Sequence, residues 1–198
     1  MISLHGHEIS GNSYRPRLLL HLLQLEYRWI RVDLMAGEHK QDAFLALSPA
    51  AQVPVLVDGE VTLPDSHAIL VYLARRYGGE AWLPLDAVGL AEVVRWLAFS
   101  AGEIKQGPES ARLHHLLGVS SLNIERAQQK SEAVLHLLDQ HLAAQPWLAL
   151  GRPTIADVAV YPYIHLAPDG RIDLGPYEHV TAWLERVEAL DGFRAMEA

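Results

Sequence analysis

The protein has 198 residues, of which half are hydrophobic and one fifth are charged. This apolar content excludes a disordered chain and is sufficient for a buried core. The formal net charge of -8, without a run of basic residues, argues against a nucleic-acid partner, and the absence of cysteine excludes disulfides and thiol nucleophiles.

The first part of the chain predicts a strand, a helix and a second strand. Residues 2–5 alternate between apolar and polar side chains, which indicates a short strand that ends at Gly6. A leucine-rich stretch over residues 18–25 indicates a buried helix, and residues 27–32 indicate the next strand. The short spacing implies parallel pairing of the two strands through a right-handed crossover.

The start of this helix is of interest because polar residues precede it. Pro16 suits the first turn of a helix, so we expect the helix to begin within residues 13–15. Ser10 and Asn12 would then lie just ahead of its positive end.

A hairpin is predicted after a short helical segment. Residues 35–47 begin polar and end in an apolar pattern, which indicates one or two helical turns before Ser48-Pro49. The dipeptide Asp58-Gly59 tolerates the positive φ angles of a type I′ turn and is flanked by β-branched residues. Residues 53–63 are therefore predicted to complete a four-stranded sheet.

The two ends of this hairpin carry the main functional signals. Pro54 stands where a strand begins, and a cis bond would turn the backbone of Val53 toward an extended peptide ligand. Asp65 and Ser66 precede a helical apolar pattern, so they cap a helix whose N-terminus attracts carboxylates. Most X-Pro bonds are trans and most Asp-Ser caps are only caps, but together the two signals outline a site for a small peptide-like acid.

The second part of the chain loses its strand signals. Gly78-Gly79 stops the helix that begins after Asp65, and residues 79–88 are predicted to form a linker. We therefore predict an α/β domain over residues 1–78 and an all-helical domain over residues 89–198. Helical patterns in the latter domain cover residues 90–102, residues 123–144, a helix that starts at Thr154 and residues 180–190.

Two details of the helical domain are predicted from local composition. Residues 106–118 contain Gly, Pro and His, which indicates a loop between the first two long helices. Thr154 and Asp157 have the spacing of a capping box, in which each side chain satisfies a backbone N–H near the start of a helix. Asp157 is thus expected to be a folding cap and not a catalyst.

Several motifs together resemble a known family. They are Val53-Pro54 followed by Asp65-Ser66, the linker, the Thr154-Ile155-Ala156-Asp157 motif, a Ser-Gly-Asn-x-Tyr loop after the first strand, and the segments at residues 37–40 and 44–49. This combination resembles the cytosolic glutathione transferases, especially bacterial ones, over essentially the whole chain. The resemblance implies a thioredoxin-like βαβαββα domain followed by an all-helical domain, with glutathione as co-substrate.

The resemblance also implies roles for individual residues. The Val53–Pro54 bond would be cis, and the backbone of Val53 would pair with the cysteinyl part of glutathione. Asp65 and Ser66 would bind the γ-glutamyl amine and carboxylate. Three loop side chains are further candidates, for the glycyl carboxylate, although solvation explains them equally well: Gln52, His39 and Lys40.

The catalytic assignment concerns the loop after the first strand. Glutathione reacts as a thiolate, so its thiol pKa, about 8.5 when free, must be lowered. Family members that use serine place it in this loop, so the resemblance assigns Ser10 as the hydrogen-bond donor and Asn12 as a supporting donor. Many relatives carry cysteine at position 13; Ser13 is an alternative donor here, although a helix cap is the favoured interpretation, and Tyr14 is a weaker alternative.

Other candidate sites receive less support. The chain has 11 histidines, but neither His5-x-His7 nor His114-His115 comes with a third ligand by spacing, so we expect no metal site. Candidates for lining an electrophile pocket, among which the first two aromatic residues are also typical core residues, are Trp96, Phe99, Arg95, Glu103, His114 and His115.

The leading functional hypothesis is a glutathione transferase, acting in detoxification, whose bound thiolate attacks a small, apolar electrophile. The alternatives are a glutathione-dependent disulfide-bond oxidoreductase and a non-enzymatic binding or regulatory protein on the same scaffold. The resemblance implies a homodimer. The start of the sequence has no signal-peptide pattern and no apolar run is long enough to cross a membrane, so we expect a cytoplasmic protein without membrane partners.

Overall fold

The computed structural model of the protein describes residues 1–196, which divide into two compact units. The first unit contains residues 1–80 and the segment that starts at Leu190, and the second contains residues 81–189. The domain limits that we predicted, 1–78 and 89–198, stay a prediction. No helix in the described part of the chain has the length and hydropathy needed to cross a bilayer.

The first unit has the predicted βαβαββα order of elements. A short 3₁₀ turn, Glu38–Lys40, precedes the second helix, and a π-helical segment, Ala74–Gly78, continues the third. The strands and α-helices are β1 (Ile2–Gly6), α1 (Gly11–Leu22), β2 (Tyr27–Arg31), α2 (Asp42–Leu45), β3 (Val55–Asp58), β4 (Val61–Pro64) and α3 (Ser66–Leu73).

The four strands form one sheet in the order β2-β1-β3-β4. β1 and β2 are parallel, which confirms the prediction, while β3 is antiparallel to both of its neighbours. The core of this unit consists of apolar side chains from the central strands and from α1 and α3. Each fully buried leucine or isoleucine stabilises the fold by about 1.5–3 kcal/mol. Completely buried examples are Leu4, Leu18, Leu56 and Ile69.

The turn of the hairpin differs from the prediction. Asp58 pairs with Val61, so the two turn residues are Gly59 and Glu60. Of these two, Gly59 alone has a positive φ, of 60°. Positive φ only at the first central position is typical of a type II′ turn, so the predicted type I′ turn is wrong.

Helix α1 begins earlier than predicted. Ser10 is its N-cap, and the Ser10 Oγ accepts a hydrogen bond from the backbone N–H of Ser13 at 3.2 Å. The prediction that Ser13 caps the helix is therefore wrong. Pro16 lies inside the helix instead of in its first turn, and because proline has no N–H it cannot donate the usual helical hydrogen bond to the residue four positions earlier.

The segment after Leu190 packs against α1. The hydroxyl of Tyr14 donates to the carbonyl of Arg194 at 2.7 Å. Gly192 has a φ of 81°, and a Cβ at this position would lie 2.5 Å from the carbonyl oxygen of His21. Glycine is therefore needed here both for backbone conformation and for close approach.

All regular elements among the described residues of the second unit are helices, which confirms the predicted all-helical architecture. The helices are α4 (Ala87–Phe99), α5 (Ser110–Leu117), α6 (Ile124–Ala144), α7 (Ile155–His165) and α8 (Glu178–Glu188). A π-helical segment, Ser100–Glu109, joins α4 to α5.

The predicted loop over residues 106–118 is wrong, because the chain stays helical up to Leu117. The π-helical segment has wider turns, which accommodate Pro108 within a continuous helical path. Gly107 allows close approach to α6, since a Cβ at this position would lie 3.1 Å from the backbone nitrogen of Ser131. Composition therefore predicted the wrong structure, because Gly107 serves helix packing and Pro108 is accommodated within the helical segment.

The capping box at the start of α7 is confirmed. Asp157 is 1% exposed, and one of its carboxylate oxygens accepts the backbone N–H of Thr154 at 3.0 Å. The other oxygen accepts the backbone N–H of Leu148 at 3.1 Å and the indole N–H of Trp183 at 3.0 Å. Burial raises the pKa of Asp157 to about 6, although these donors oppose the shift. One carboxylate thus connects α7, α8 and the segment before α7.

Candidate active site

The sheet register brings the candidate segments of the first unit to one end of three adjacent strands. His5 of β1 pairs with Val55 of β3, and Val55 pairs with Pro64 of β4. The loop after β1, the Val53–Pro54 bond before β3 and Asp65 after β4 therefore share that end. Neighbouring strand ends are where a polar site can form without interrupting the core.

In the loop after β1, Ser10 and Ser13 have different environments. Ser10 is half-buried, and because its Oγ accepts the N–H of Ser13, its own hydroxyl hydrogen remains available for another acceptor. Ser13 is buried, and its Oγ accepts the backbone N–H of His7 at 3.3 Å. A Cβ on Gly6 would lie 2.8 Å from that Oγ, so Ser13 is enclosed between β1 and α1.

Helix α3 starts at the same end of the sheet. The Oδ1 of Asp65 accepts the backbone N–H groups of His67 and Ala68, both at 2.9 Å, which confirms the predicted cap. Asp65 has a φ of 76°, a region that few side chains adopt and that costs about 1–3 kcal/mol. Such residues are concentrated at ligand sites. Ser66 follows and is buried.

The peptide bond between Val53 and Pro54 is cis, as predicted. Within residues 1–196, no hydrogen-bond partner is found for the backbone N–H or carbonyl of Val53. The preceding residue is held in place, because the hydroxyl of Ser48 accepts the N–H of Gln52 at 3.3 Å and donates to its carbonyl at 3.0 Å. The side chain of Gln52 is exposed.

Sequence reasoning missed Arg15, which connects the two helix starts. Its side chain is 1% exposed, and its Nη1 donates to the Oγ of Ser66 at 3.2 Å and to the Oδ1 of Asn12. An arginine in a helix is usually a surface residue, so its residue type does not indicate a buried position. The one local signal was its spacing from Asn12, three residues, which places both on one helix face.

His67 is a second residue that the sequence did not single out. Its pKa is lowered to about 4, mainly by burial and further by the guanidinium of Arg15, while Asp65 opposes the shift. His67 is therefore neutral at pH 7. The positive charge at the start of α3 comes from Arg15.

The structure does not connect the two basic candidates to the rest of the site. His39 is half-buried and Lys40 is exposed, and both belong to the turn that follows β2. Among the residues that the structure describes, no hydrogen bond or ion pair joins either side chain to Asp65 or Ser66.

The candidates in the second unit are described by their own contacts. Trp96 is 3% exposed and packs edge-on against Phe99, with ring centroids 5.2 Å apart, as expected of core residues. Arg95 is exposed and pairs with Glu92 at 3.1 Å. No group of three or more metal-ligating side chains is found within the described residues.

Comparisons with known proteins agree with this geometry. The N-terminal domain model of the glutathione S-transferases matches residues 9–76, and the C-terminal domain model matches residues 123–186. The disulfide-bond oxidoreductase YfcG of Escherichia coli is 33% identical over 189 residues, which cover 90% of this chain and 86% of the relative.

Solved structures show the same relationship. A possible glutathione S-transferase from Rhodopseudomonas palustris has a TM-score of 0.93 and 34% identity, covering 100% of this chain and 98% of that chain. A glutathione transferase homolog from Drosophila mojavensis with bound glutathione has a TM-score of 0.86 and 30% identity, covering 96% and 88%. The predicted family and fold are thus confirmed, and this chain belongs to the glutathione S-transferase family.

Proposed function

We propose that the protein is a glutathione transferase that binds glutathione at the shared end of β1, β3 and β4. The observation that carries the proposal is the register that brings Ser10, Val53 and Asp65 to that end. The backbone N–H and carbonyl of Val53 pair with the cysteinyl residue of glutathione in the manner of an added strand. The start of α3 receives the γ-glutamyl group.

The γ-glutamyl group has two charges, and the start of α3 offers a partner for each. The hydroxyl of Ser66 and the helix N-terminus bind its carboxylate. The carboxylate of Asp65 binds its ammonium group, since one of its oxygens is sufficient for capping. The glycyl carboxylate, at the other end of glutathione, is assigned to Gln52, His39 and Lys40.

The reaction requires the thiolate form of glutathione. Lowering the thiol pKa by two units needs about 2.7 kcal/mol of preference for the anion. A hydrogen bond from Ser10 to the thiolate supplies about 1.5–3 kcal/mol, and the N-terminus of α1 adds about 0.3–1 kcal/mol. Ser10 is the N-cap of α1, so both contributions act at the same place, with Asn12 as a supporting donor.

We expect Ser10→Ala to raise the thiol pKa of bound glutathione by about 1–2 units, because the main donor to the thiolate is removed. Titration of the ultraviolet absorbance of the thiolate measures this pKa. The fold loses about 1 kcal/mol as well, since Ser10 is also a helix cap.

The matched control is Ser13→Ala, which removes a hydroxyl that is enclosed beside Gly6. It should leave the thiol pKa unchanged. An equal rise in both variants, or none in Ser10→Ala, would remove Ser10 from the catalytic role.

A second candidate function is reduction of disulfides by glutathione. It is favoured by the E. coli relative, which is named a disulfide-bond oxidoreductase, and it needs no cysteine from the protein. The same thiolate would attack a disulfide sulfur instead of a carbon electrophile, and a second glutathione would complete the reduction.

Two assays with purified protein separate these functions. Conjugation of a chloronitrobenzene should be the faster reaction for a transferase, whereas reduction of hydroxyethyl disulfide should be faster for an oxidoreductase. Calorimetric titration with glutathione tests both proposals, because a protein that binds no glutathione is neither enzyme. That result would favour a non-enzymatic binding or regulatory protein.

The remaining proposals concern the setting of the reaction. The electrophile is small and apolar, and the role is detoxification in the cytoplasm. The protein is a homodimer, as the family resemblance implies, and Val88 and Val94 of α4, which are 75% and 46% exposed, are candidate interface residues. Sedimentation at several concentrations tests it, and a monomer at all of them would refute it.

A further inference from the structure

Arg15 lies between the two helix starts that the proposed function uses. Its Nη1 reaches the Oγ of Ser66 at 3.2 Å and also contacts the Oδ1 of Asn12. This nitrogen carries two hydrogens, so it can donate one to each oxygen. One buried guanidinium thus contacts the first turn of α1 and the first residue of α3.

The chemistry of arginine determines what these two oxygens can do. A guanidinium donates hydrogen bonds, accepts none, and keeps its charge in proteins. The Oγ of Ser66 must therefore accept from Arg15, which directs its own hydroxyl hydrogen elsewhere. The Oδ1 of Asn12 must accept as well, so the NH₂ end of its amide faces away from Arg15.

We propose that Arg15 is a positioning residue that fixes Ser66 and Asn12 as hydrogen-bond donors toward the anionic groups of glutathione. The inference rests on the proposed function, in which Ser66 meets the γ-glutamyl carboxylate and Asn12 the thiolate. Serine and asparagine can each present either a hydrogen or a lone pair to a ligand. Because Arg15 can only donate, both side chains must accept from it. Each then presents a hydrogen, and not a lone pair, to the anionic ligand.

The charge of Arg15 acts in the same direction. Together with burial, the larger cause, it lowers the pKa of the neighbouring His67, so its field reaches the start of α3. A cation that disfavours a protonated imidazole favours a carboxylate or a thiolate by the same electrostatics. Arg15 therefore stabilises both anions of the ligand without a direct contact being required.

The test is Arg15→Met, which removes the donors and the charge but keeps a long side chain. We expect the thiol pKa of bound glutathione to rise by about one unit. The dissociation constant should rise about 10-fold or more, because Ser66 is no longer held as a donor. Arg17→Met is the matched control, since Arg17 donates to the hydroxyl of Tyr27 at 3.2 Å, and it should change neither quantity.

Two further variants separate charge from hydrogen-bond direction and guard against misfolding. Arg15→Lys keeps a donor-only cation and should hold the thiol pKa within about half a unit of wild type. Arg15→Gln is neutral and can accept as well as donate, so it should resemble Arg15→Met and replaces it if that variant does not fold. If neither neutral variant folds, a rise in Arg15→Lys as large as in Ser10→Ala would overturn the proposal.

The outcomes distinguish this inference from the proposed function. Wild-type protein that fails to bind glutathione in calorimetry overturns the proposed function itself. Wild-type binding with an unchanged thiol pKa and affinity in the neutral variants overturns only the role of Arg15. A lower Tm with a wild-type thiol pKa also overturns it, because that result would make Arg15 merely structural.

Discussion

Asp157→Ala is expected to lower the free energy of unfolding by roughly 3–5 kcal/mol. The substitution leaves four donors without this acceptor, namely the backbone N–H and the hydroxyl of Thr154, the backbone N–H of Leu148 and the indole N–H of Trp183. Each buried donor without a partner costs about 1–3 kcal/mol, and the contributions do not add fully. Urea denaturation followed by circular dichroism measures the change.

Asp173→Ala is the control, because it removes an exposed carboxylate that accepts the N–H of Gly175 at 2.9 Å. It should cost about 0.5 kcal/mol, since water replaces the acceptor. A loss below about 1 kcal/mol in Asp157→Ala would contradict the central role assigned to Asp157.

The same residue gives the stability a pH dependence with a defined sign. The pKa of Asp157 is about 6 in the folded protein and 3.8 ordinarily, so the native state binds the extra proton. The stabilisation from this bound proton is complete below the ordinary pKa of 3.8 and is lost as the pH rises through the folded-state pKa of about 6. Asp157→Asn cannot ionise at this position. Relative to this variant, the free energy of unfolding of wild type should fall by about 3 kcal/mol between about pH 4 and pH 7. If wild type instead gains stability relative to Asp157→Asn as the pH rises, the hydrogen-bond donors lower the pKa of Asp157 by more than burial raises it.

Local sequence signals predicted those parts of the structure that depend on neighbouring residues. A cap is formed within one helical turn, so Asp65 and the pair Thr154 and Asp157 could be identified from spacing alone. The parallel pairing of β1 with β2 follows likewise from a short connection. The cis Val53–Pro54 bond was implied by the family resemblance, because most X-Pro bonds are trans.

The failures arose where distant contacts determine the structure. Arg15 is 51 positions from Ser66, so nothing near it in the sequence indicates a buried residue that connects two helices. Gly107 resembled a loop residue because its packing partner, Ser131, lies on another helix. The hairpin turn was displaced by one residue because pairing across the strands, and not turn propensity, fixes the register.

Asp65→Asn is expected to weaken glutathione binding about 10-fold to 100-fold while leaving the fold intact. Asparagine caps helices as well as aspartate does and tolerates a positive φ, so His67 and Ala68 keep their acceptor. The stability should stay within about 0.5 kcal/mol of wild type. The ammonium group of glutathione, however, loses an ionised partner worth about 1.5–3 kcal/mol. Calorimetric titration and urea denaturation measure the two quantities separately.

The control applies the same substitution to another helix cap. Asp86 caps α4, and its Oδ1 accepts the N–H of Gly89 at 2.8 Å. Asp86→Asn should change neither stability nor glutathione affinity. If it weakens binding as much as Asp65→Asn does, the effect of Asp65 cannot be assigned to direct contact with the ligand.

A glutathione analogue without the α-amino group identifies the interacting charge on the ligand. If Asp65 binds the ammonium group, wild type and Asp65→Asn should bind this analogue equally, because the interaction is already absent. If the 10-fold to 100-fold difference persists with the analogue, Asp65 acts through the shape of the helix start and not through its charge. The two ligands and two proteins thus form a cycle in which capping cancels and only the ion pair remains.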